Sequence, residues 1–198
     1  SEALLRHGLA CWGPTRCDQA GWEPLLQVEE EIGLRCLPDT VIKLLAPPSA
    51  RLITAAMPGP VLGTAGDALA LLGHRSGMIV QGLEGSIDPS VCGRTRGLFL
   101  EEDCKSPLRV DPEDFALQCP LEASFSDGEP LQSAISITLQ TLMGVEGPAY
   151  NSTLLCAALI LRLARKTRDL ATGIGLAREV IESGRAHHAY ESVQGTQA

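Results

Sequence analysis

Apolar residues recur along this chain with two spacings, and the change from one to the other marks its elements. Val61, Leu62, Ala65, Leu69 and Leu72 fall at helical intervals and stop at Gly73, the pattern of an amphipathic helix closed by glycine. Runs from Arg51 to Ala56 and from Gly77 to Gln81 flank that helix and read as strands. Strand, helix, strand in this order predicts a right-handed parallel crossover. Gly97 to Leu100 and Leu108 to Val110 predict an antiparallel hairpin across Glu101-Glu102-Asp103. Asp111 to Phe115 is a helix-start or turn signal, and residues 121–130 read as a polar loop. The remainder predicts helices over about 131–143, 149–166, 170–183 and 185–192, punctuated by Gly144, Asp169 and Gly184. Upstream, helices are predicted over 1–9, over 22–32 ahead of Gly33, and from Pro38-Asp39-Thr40 through Leu45. The expectation is one α/β domain over residues 1–193 and a frayed tail over 194–198.

The strand ending at Gln81 runs into Gly82-Leu83-Glu84-Gly85-Ser86-Ile87-Asp88. An apolar run followed by a glycine-interrupted acidic loop is how many α/β proteins present a ligand at the carboxyl end of a strand. Gly82 and Gly85 are the candidate ligand-binding glycines of that loop, and Glu84 and Asp88 its candidate metal-binding carboxylates.

Composition narrows the function classes. The 198 residues are 44% hydrophobic and 20% charged, a globular composition. The longest apolar run, Leu154 to Leu161, is too short to cross a bilayer, so no membrane association is expected. A net charge of −8 opposes general attraction to nucleic acid, although Arg94, Arg96 and Arg109 are candidates for a local basic patch. Seven cysteines are scattered without a C-x-x-C pair, which fits neither a metal site nor a disulfide scaffold. They read as reduced, mostly buried thiols of a cytoplasmic protein. No secretory signal is visible, and the chain opens directly on a helix-start pattern, as expected if an initiator methionine was removed or the chain was cut.

Several spaced motifs together have a familiar order. These are Val80-Gln81-Gly82-Leu83-Glu84-Gly85, Val110-Asp111-Pro112-Glu113-Asp114-Phe115, Gly144-Val145-Glu146-Gly147-Pro148 leading into the helix of Leu154 to Ala158, and Gly175-Leu176-Ala177-Arg178-Glu179-Val180-Ile181-Glu182-Ser183-Gly184. In this order the chain resembles the carboxyl-terminal part of anthranilate phosphoribosyltransferase. Thr40 to Pro47, with Lys43 where biosynthetic members carry asparagine, Ala70 to Arg75, and Glu84-Gly85 look more like the non-biosynthetic paralogues, some of which are described as nucleic-acid binders. The resemblance implies a central mixed sheet flanked by helices, of the phosphoribosyltransferase/nucleoside phosphorylase catalytic-domain type, with the amino-terminal helical domain absent. It also implies transfer of a phosphoribosyl group from a diphosphate-activated sugar to an aromatic amine, with Mg2+.

The family's Gly-Thr-Gly-Gly-Asp diphosphate loop does not occur in this sequence. Gly63-Thr64-Ala65-Gly66-Asp67 is similar as text but lies among the helical apolar positions, where glycines do not free a backbone for phosphate. The family's Lys-His-Gly-Asn-Arg motif is absent too. Its metal-binding Asp-Glu pair would fall on Ile87 and Asp88, which leaves Asp88 with Glu84 nearby, or two solvated loop acids. The arginine that meets an acidic acceptor maps onto Glu29, a reversal of charge that argues against anthranilate. Arg35 matches a family arginine, with a surface or capping role as the alternative. Lys43 either contacts a phosphate at a helix start or snorkels from an apolar face.

His7, His74, His187 and His188 stand at no recognised spacing from a nucleophile, and two tyrosines and three phenylalanines give little for base stacking. The expected function is a phosphoribosyltransferase-like domain, inactive as this isolated chain. The alternative is a non-catalytic paralogue that binds nucleic acid or a phosphorylated ligand. Expected partners are a phosphorylated sugar or nucleotide-like ligand and either a second copy of the chain or a missing amino-terminal segment.

Overall fold

The computed structural model describes residues 49–102, 104–124 and 130–194, together with Glu31 in a helix and Leu44 in a turn. The other positions of the three upstream helices lie outside the described residues, as do Arg35 and Lys43. Strand β1 (Leu52–Ala55), helix α1 (Val61–Leu71) and strand β2 (Ser76–Gln81) follow one another as the spacing predicts. Strands β3 (Thr95–Glu101) and β4 (Cys104–Val110) form the hairpin. A 3-10 turn (Pro112–Phe115) follows, then helices α2 (Pro130–Leu142), α3 (Pro148–Leu163), α4 (Leu170–Glu182) and α5 (Arg185–Gln194).

The four strands make one sheet in the order β1-β2-β3-β4. β1 and β2 are parallel, whereas β3 pairs antiparallel with β2 and with β4, so the sheet is mixed as expected. β2 is buried from Gly77 to Val80, which explains its unbroken apolar run, since a strand covered on both faces has no polar side to show. Met78 and Val80 join Leu154, Leu155, Leu159 and Leu163 of α3 and Ile174 and Ile181 of α4 in one core. Ile79, on the opposite face, packs with Leu69 of α1 and with Leu100.

The hairpin strands are longer than the sequence suggests. Lys105, Ser106 and Pro107 are exposed on β4, and an edge strand tolerates both polar side chains and a proline, so neither apolar alternation nor β propensity signals its first half. Gly173 lets α4 close on α3, because a Cβ there would sit 3.0 Å from both Cα and Cβ of Ala158. Asp169 caps α4, its Oδ1 accepting from the Thr172 N–H at 2.8 Å, a bond that holds its carboxyl below the usual range.

Candidate functional site

The parallel pair sets the position of the site. β1 and β2 run in register from Leu52 opposite Gly77 to Ala55 opposite Val80, so their carboxyl ends lie side by side. Ligands of open α/β sheets bind in the crevice outside such ends. Two segments leave there, the one leading to α1 and the Gly82–Asp88 loop, and Gln81 ties the first down by donating from Nε2 to the carbonyls of Met57 at 2.9 Å and Gly59 at 3.0 Å.

The loop is closed by its own backbone. Gly82 N–H donates to the Ser86 carbonyl at 3.1 Å, Leu83 N–H to the Asp88 carbonyl at 2.9 Å, and Ser86 N–H to the Leu83 carbonyl at 2.8 Å. The Asp88 N–H is taken by Ser86 Oγ at 3.0 Å. Glu84 at φ 50° and Gly85 at φ 76° both occupy the left-handed region, which costs a non-glycine residue about 1–2 kcal/mol. Gly82 is buried, and a Cβ on it would strike the Ser86 and Asp88 carbonyls. Its role is therefore to let the loop fold onto itself.

A cavity of about 1060 Å³ opens against this loop. Glu84, Gly85, Ser86, Ile87 and Asp88 form one wall, and Ile53, Thr54 and Ala55 of β1 another. Ala134, Ile137 and Thr138 of α2, Ala149, Ser152 and Thr153 at the start of α3, and Glu122 to Ser124 complete it. Of the candidates read from sequence, Glu84, Gly85 and Asp88 thus line one cavity, while Gly82 lies beneath it. Arg94, Arg96 and Arg109 also gather at this end of the sheet. Arg96 pairs with both Gln81 and Arg109 in register, and Arg94 and Arg109 reach Asp111 at 3.1 and 3.5 Å. Burial raises the Asp111 carboxyl, but those bonds outweigh it and hold the group below its usual range.

Two features of the wall carry no mark in the sequence. Glu122 accepts a hydrogen bond from Ser90 Oγ and others from the N–H groups of Val91 at 3.2 Å and Cys92 at 3.1 Å. Burial pushes its pKa up, yet these donors prevail and lower it. Ser152 Oγ donates to the Pro89 carbonyl at 2.8 Å, which pins the end of the loop to α3. Beside it on α3, Cys156 is pushed up from 9.0 to about 11, first by burial and then by the charge and hydrogen bond of Asp88. The thiol is therefore protonated and inert at neutral pH. Cys92, Cys104, Cys119 and Cys156 are all free, but contrary to the expectation of mostly buried thiols Cys92 and Cys104 are exposed and Cys119 and Cys156 only half-buried.

Among the described residues no group of three or more His, Cys, Asp or Glu side chains could hold a metal ion. Asp88 and Glu84, the two carboxylates of the loop, are both exposed; magnesium would need one or two such groups together with ligand phosphates. Gly63 to Asp67 lies within α1, away from this cavity, with Asp67 paired to Lys105 of β4. No helix among the described residues is long and apolar enough to cross a membrane.

Comparison with known proteins bears on the family and the fold. The family model described as "Glycosyl transferase family, a/b domain" matches residues 19–187. The anthranilate phosphoribosyltransferase of Desulfosudis oleivorans is 32% identical over 166 residues, covering 83% of this chain and 49% of that protein. That of Desulfitobacterium hafniense is 28% identical over 169 residues, covering 84% and 49%. The chain thus spans about half the length of the curated relatives it matches. Among solved structures, anthranilate phosphoribosyltransferase from Thermus thermophilus superposes with a TM-score of 0.71 at 27% identity, covering 93% of this chain and 55% of that one. The Saccharomyces cerevisiae protein in complex with PRPP and Mg gives 0.70 at 21% identity, covering 89% and 52%. Fold and sequence agree, and the chain belongs to the glycosyl transferase family, as an anthranilate phosphoribosyltransferase-like a/b domain.

Proposed function

We propose that the cavity beside the Gly82–Asp88 loop holds the phosphorylated sugar of a phosphoribosyl transfer, and that these 198 residues alone bind it without turning it over. The observation that carries this reading is the cavity itself. It lies at the carboxyl ends of the parallel strands, and its volume of about 1060 Å³ is slightly above the range of about 300–1,000 Å³ for small-molecule sites. PRPP and Mg accompany the yeast relative of the same fold.

In this reading Asp88, with Glu84, holds magnesium through the ligand's phosphates. The ion's chemistry is to neutralise charge on the diphosphate. The chain's own groups position the sugar, with the loop bracing Asp88, Ser152 fixing the loop to α3, Thr153 offering a hydroxyl from α3, and Thr138, whose hydroxyl donates to the Ala134 carbonyl at 2.8 Å, left to accept from the ligand. Turnover is not expected, because no Gly-Thr-Gly-Gly-Asp loop occurs in the sequence to cradle the diphosphate. The reversal at Glu29 further disfavours an acidic aromatic acceptor.

Calorimetry with PRPP, with and without Mg2+, tests binding, and a steady-state assay of pyrophosphate release tests turnover. Expected are magnesium-dependent binding that Asp88→Ala weakens at least tenfold, and no release of pyrophosphate. Release abolished by Asp88→Ala would overturn the inactive reading; absence of PRPP binding would overturn the site.

A further inference from the structure

A second depression lies at the other end of the sheet. Glu101, which faces it, pairs in register with Ser76 at the amino end of β2, whereas the cavity described above lies beyond Gln81. Its volume is about 560 Å³, and its wall is made of Glu101, Arg162, Arg165, Lys166, Thr167 and Arg168. Four cations face one carboxylate there in a chain whose net charge is −8, so the cluster is not a sample of a generally basic surface.

The cations are held in different ways. Arg162 stacks over the Phe99 ring at 5.3 Å from its centroid. Arg165 reaches Glu101 Oε1 with Nη2 at 2.9 Å. Lys166 and Arg168 pair with no carboxylate among the described residues. The next acid along the chain, Asp169, is engaged as the cap of α4. Between the unpaired cations Thr167 is 8% exposed, and its Oγ1 has no hydrogen-bond partner among the described residues.

The backbone adds an independent sign. α3 ends with Lys166 N–H on the Leu161 carbonyl at 2.9 Å and Arg165 N–H on the Arg162 carbonyl at 3.0 Å, the Schellman arrangement. Its left-handed position, usually glycine, is filled here by Arg165 at φ 58°. A glycine there would relieve the strain but remove the guanidinium that reaches Glu101 at the rim of the depression.

We infer that this depression is a binding site for a phosphate-class oxyanion, separate from the phosphoribosyl cavity. Several guanidinium groups around one concavity match phosphate oxygens in pairs, and an unpaired lysine supplies a point charge.

The test uses the full 198-residue chain in magnesium-free, low-salt buffer, titrated with orthophosphate and with tripolyphosphate by calorimetry and by amide NMR shifts. Saturable one-to-one binding is expected, with shifts at residues 165–168 and none at 84–88. Tighter binding of tripolyphosphate assigns the site to a ligand with several phosphates; equal binding assigns it to a single phosphate group. The double variant Lys166→Gln, Arg168→Gln should weaken binding at least tenfold. Arg165→Gly should weaken it while melting at the same or a higher temperature, which separates loss of a ligand group from loss of fold. Unchanged affinity in the double variant, shifts confined to the 84–88 loop, or titrations that never saturate would overturn the inference.

Discussion

Asp88→Asn probes the contact on which the candidate metal site depends. Cys156 sits on α3 with Asp88 as its charged neighbour, and its pKa rises from 9.0 to about 11, burial being the leading cause and the charge and hydrogen bond of Asp88 the others. Each pKa unit is tenfold in thiolate at a pH below both values, so Cys156 at pH 8 carries about one-hundredth of the thiolate of an unstructured cysteine. The thiolate is the nucleophile, and alkylation by iodoacetamide, followed peptide by peptide by mass spectrometry, tracks that population together with access to the half-buried sulfur. The wild-type thiol should react about a hundredfold more slowly than a reference cysteine peptide. The asparagine variant removes the charge and leaves the burial, so Cys156 should speed up severalfold while staying slower than the reference. The linkage has a definite sign. Because the folded value lies above the unfolded one, the stability contributed by this thiol is complete below pH 9.0 and is lost as pH rises through about 11. Wild-type reactivity equal to the reference, or a rate unmoved by Asp88→Asn, would show that Asp88 does not face α3 as described.

Helix α4 offers a pair of glycines with opposite expectations. Gly175→Ala meets nothing within 4 Å and should gain up to about 1 kcal/mol from helix propensity. Gly173→Ala gains the same propensity but drives a methyl against Ala158, and overpacking costs about 1–3 kcal/mol. Thermal melts should therefore rise for Gly175→Ala and fall by up to about 8 °C for Gly173→Ala, at about 2–4 °C per kcal/mol; a shift in the same direction for both would contradict the close approach of α3 and α4. In the loop, Gly82→Ala should abolish PRPP binding, because its Cβ strikes the Ser86 and Asp88 carbonyls, and unchanged affinity would refute the loop closure. Glu122 has a depressed folded pKa, so its contribution to stability is complete above its unfolded value near 4.5 and lost as pH falls through the folded one. Melts of wild type and Glu122→Gln should converge on acidification, and a constant difference down to pH 3 would refute the role of its three donors.

The fold was legible wherever one physical demand governed a stretch of chain. The apolar spacing from Val61 to Leu72 specified α1, and so placed Gly63 to Asp67 inside a helix despite their likeness to a phosphate loop. The unbroken run Met78-Ile79-Val80 marked a strand covered on both sides. The first half of β4 was not legible, because Lys105, Ser106 and Pro107 answer to solvent at a sheet edge. The site was half legible. Glycines and acids in sequence announced the loop, and three of its four flagged residues line the cavity. The opposing wall comes from Glu122, Thr138 and Ser152, which lie tens of residues downstream and have no local pattern. Their roles arise from tertiary contacts, such as the bond from Ser152 to the Pro89 carbonyl, that no periodicity encodes.

Ile87 is the residue on which the chemistry of this loop turns. It lines the cavity beside Asp88, at a position where the family resemblance leads one to expect a second carboxylate. An isoleucine contributes neither charge nor a lone pair, so a cation bound here would face Asp88 and the exposed Glu84, whose backbone is held in the left-handed region by the loop closure. Asp88 and Glu84 would hold magnesium weakly by themselves, because the ion gives up its water reluctantly and would draw on ligand phosphates as well. In the proposed reading, metal and phosphorylated ligand are therefore bound together, and by linkage each tightens the other by the same factor. In that reading Ile87, which lines the cavity without a lone pair to offer, leaves the ligand rather than the protein to supply most of the metal's partners.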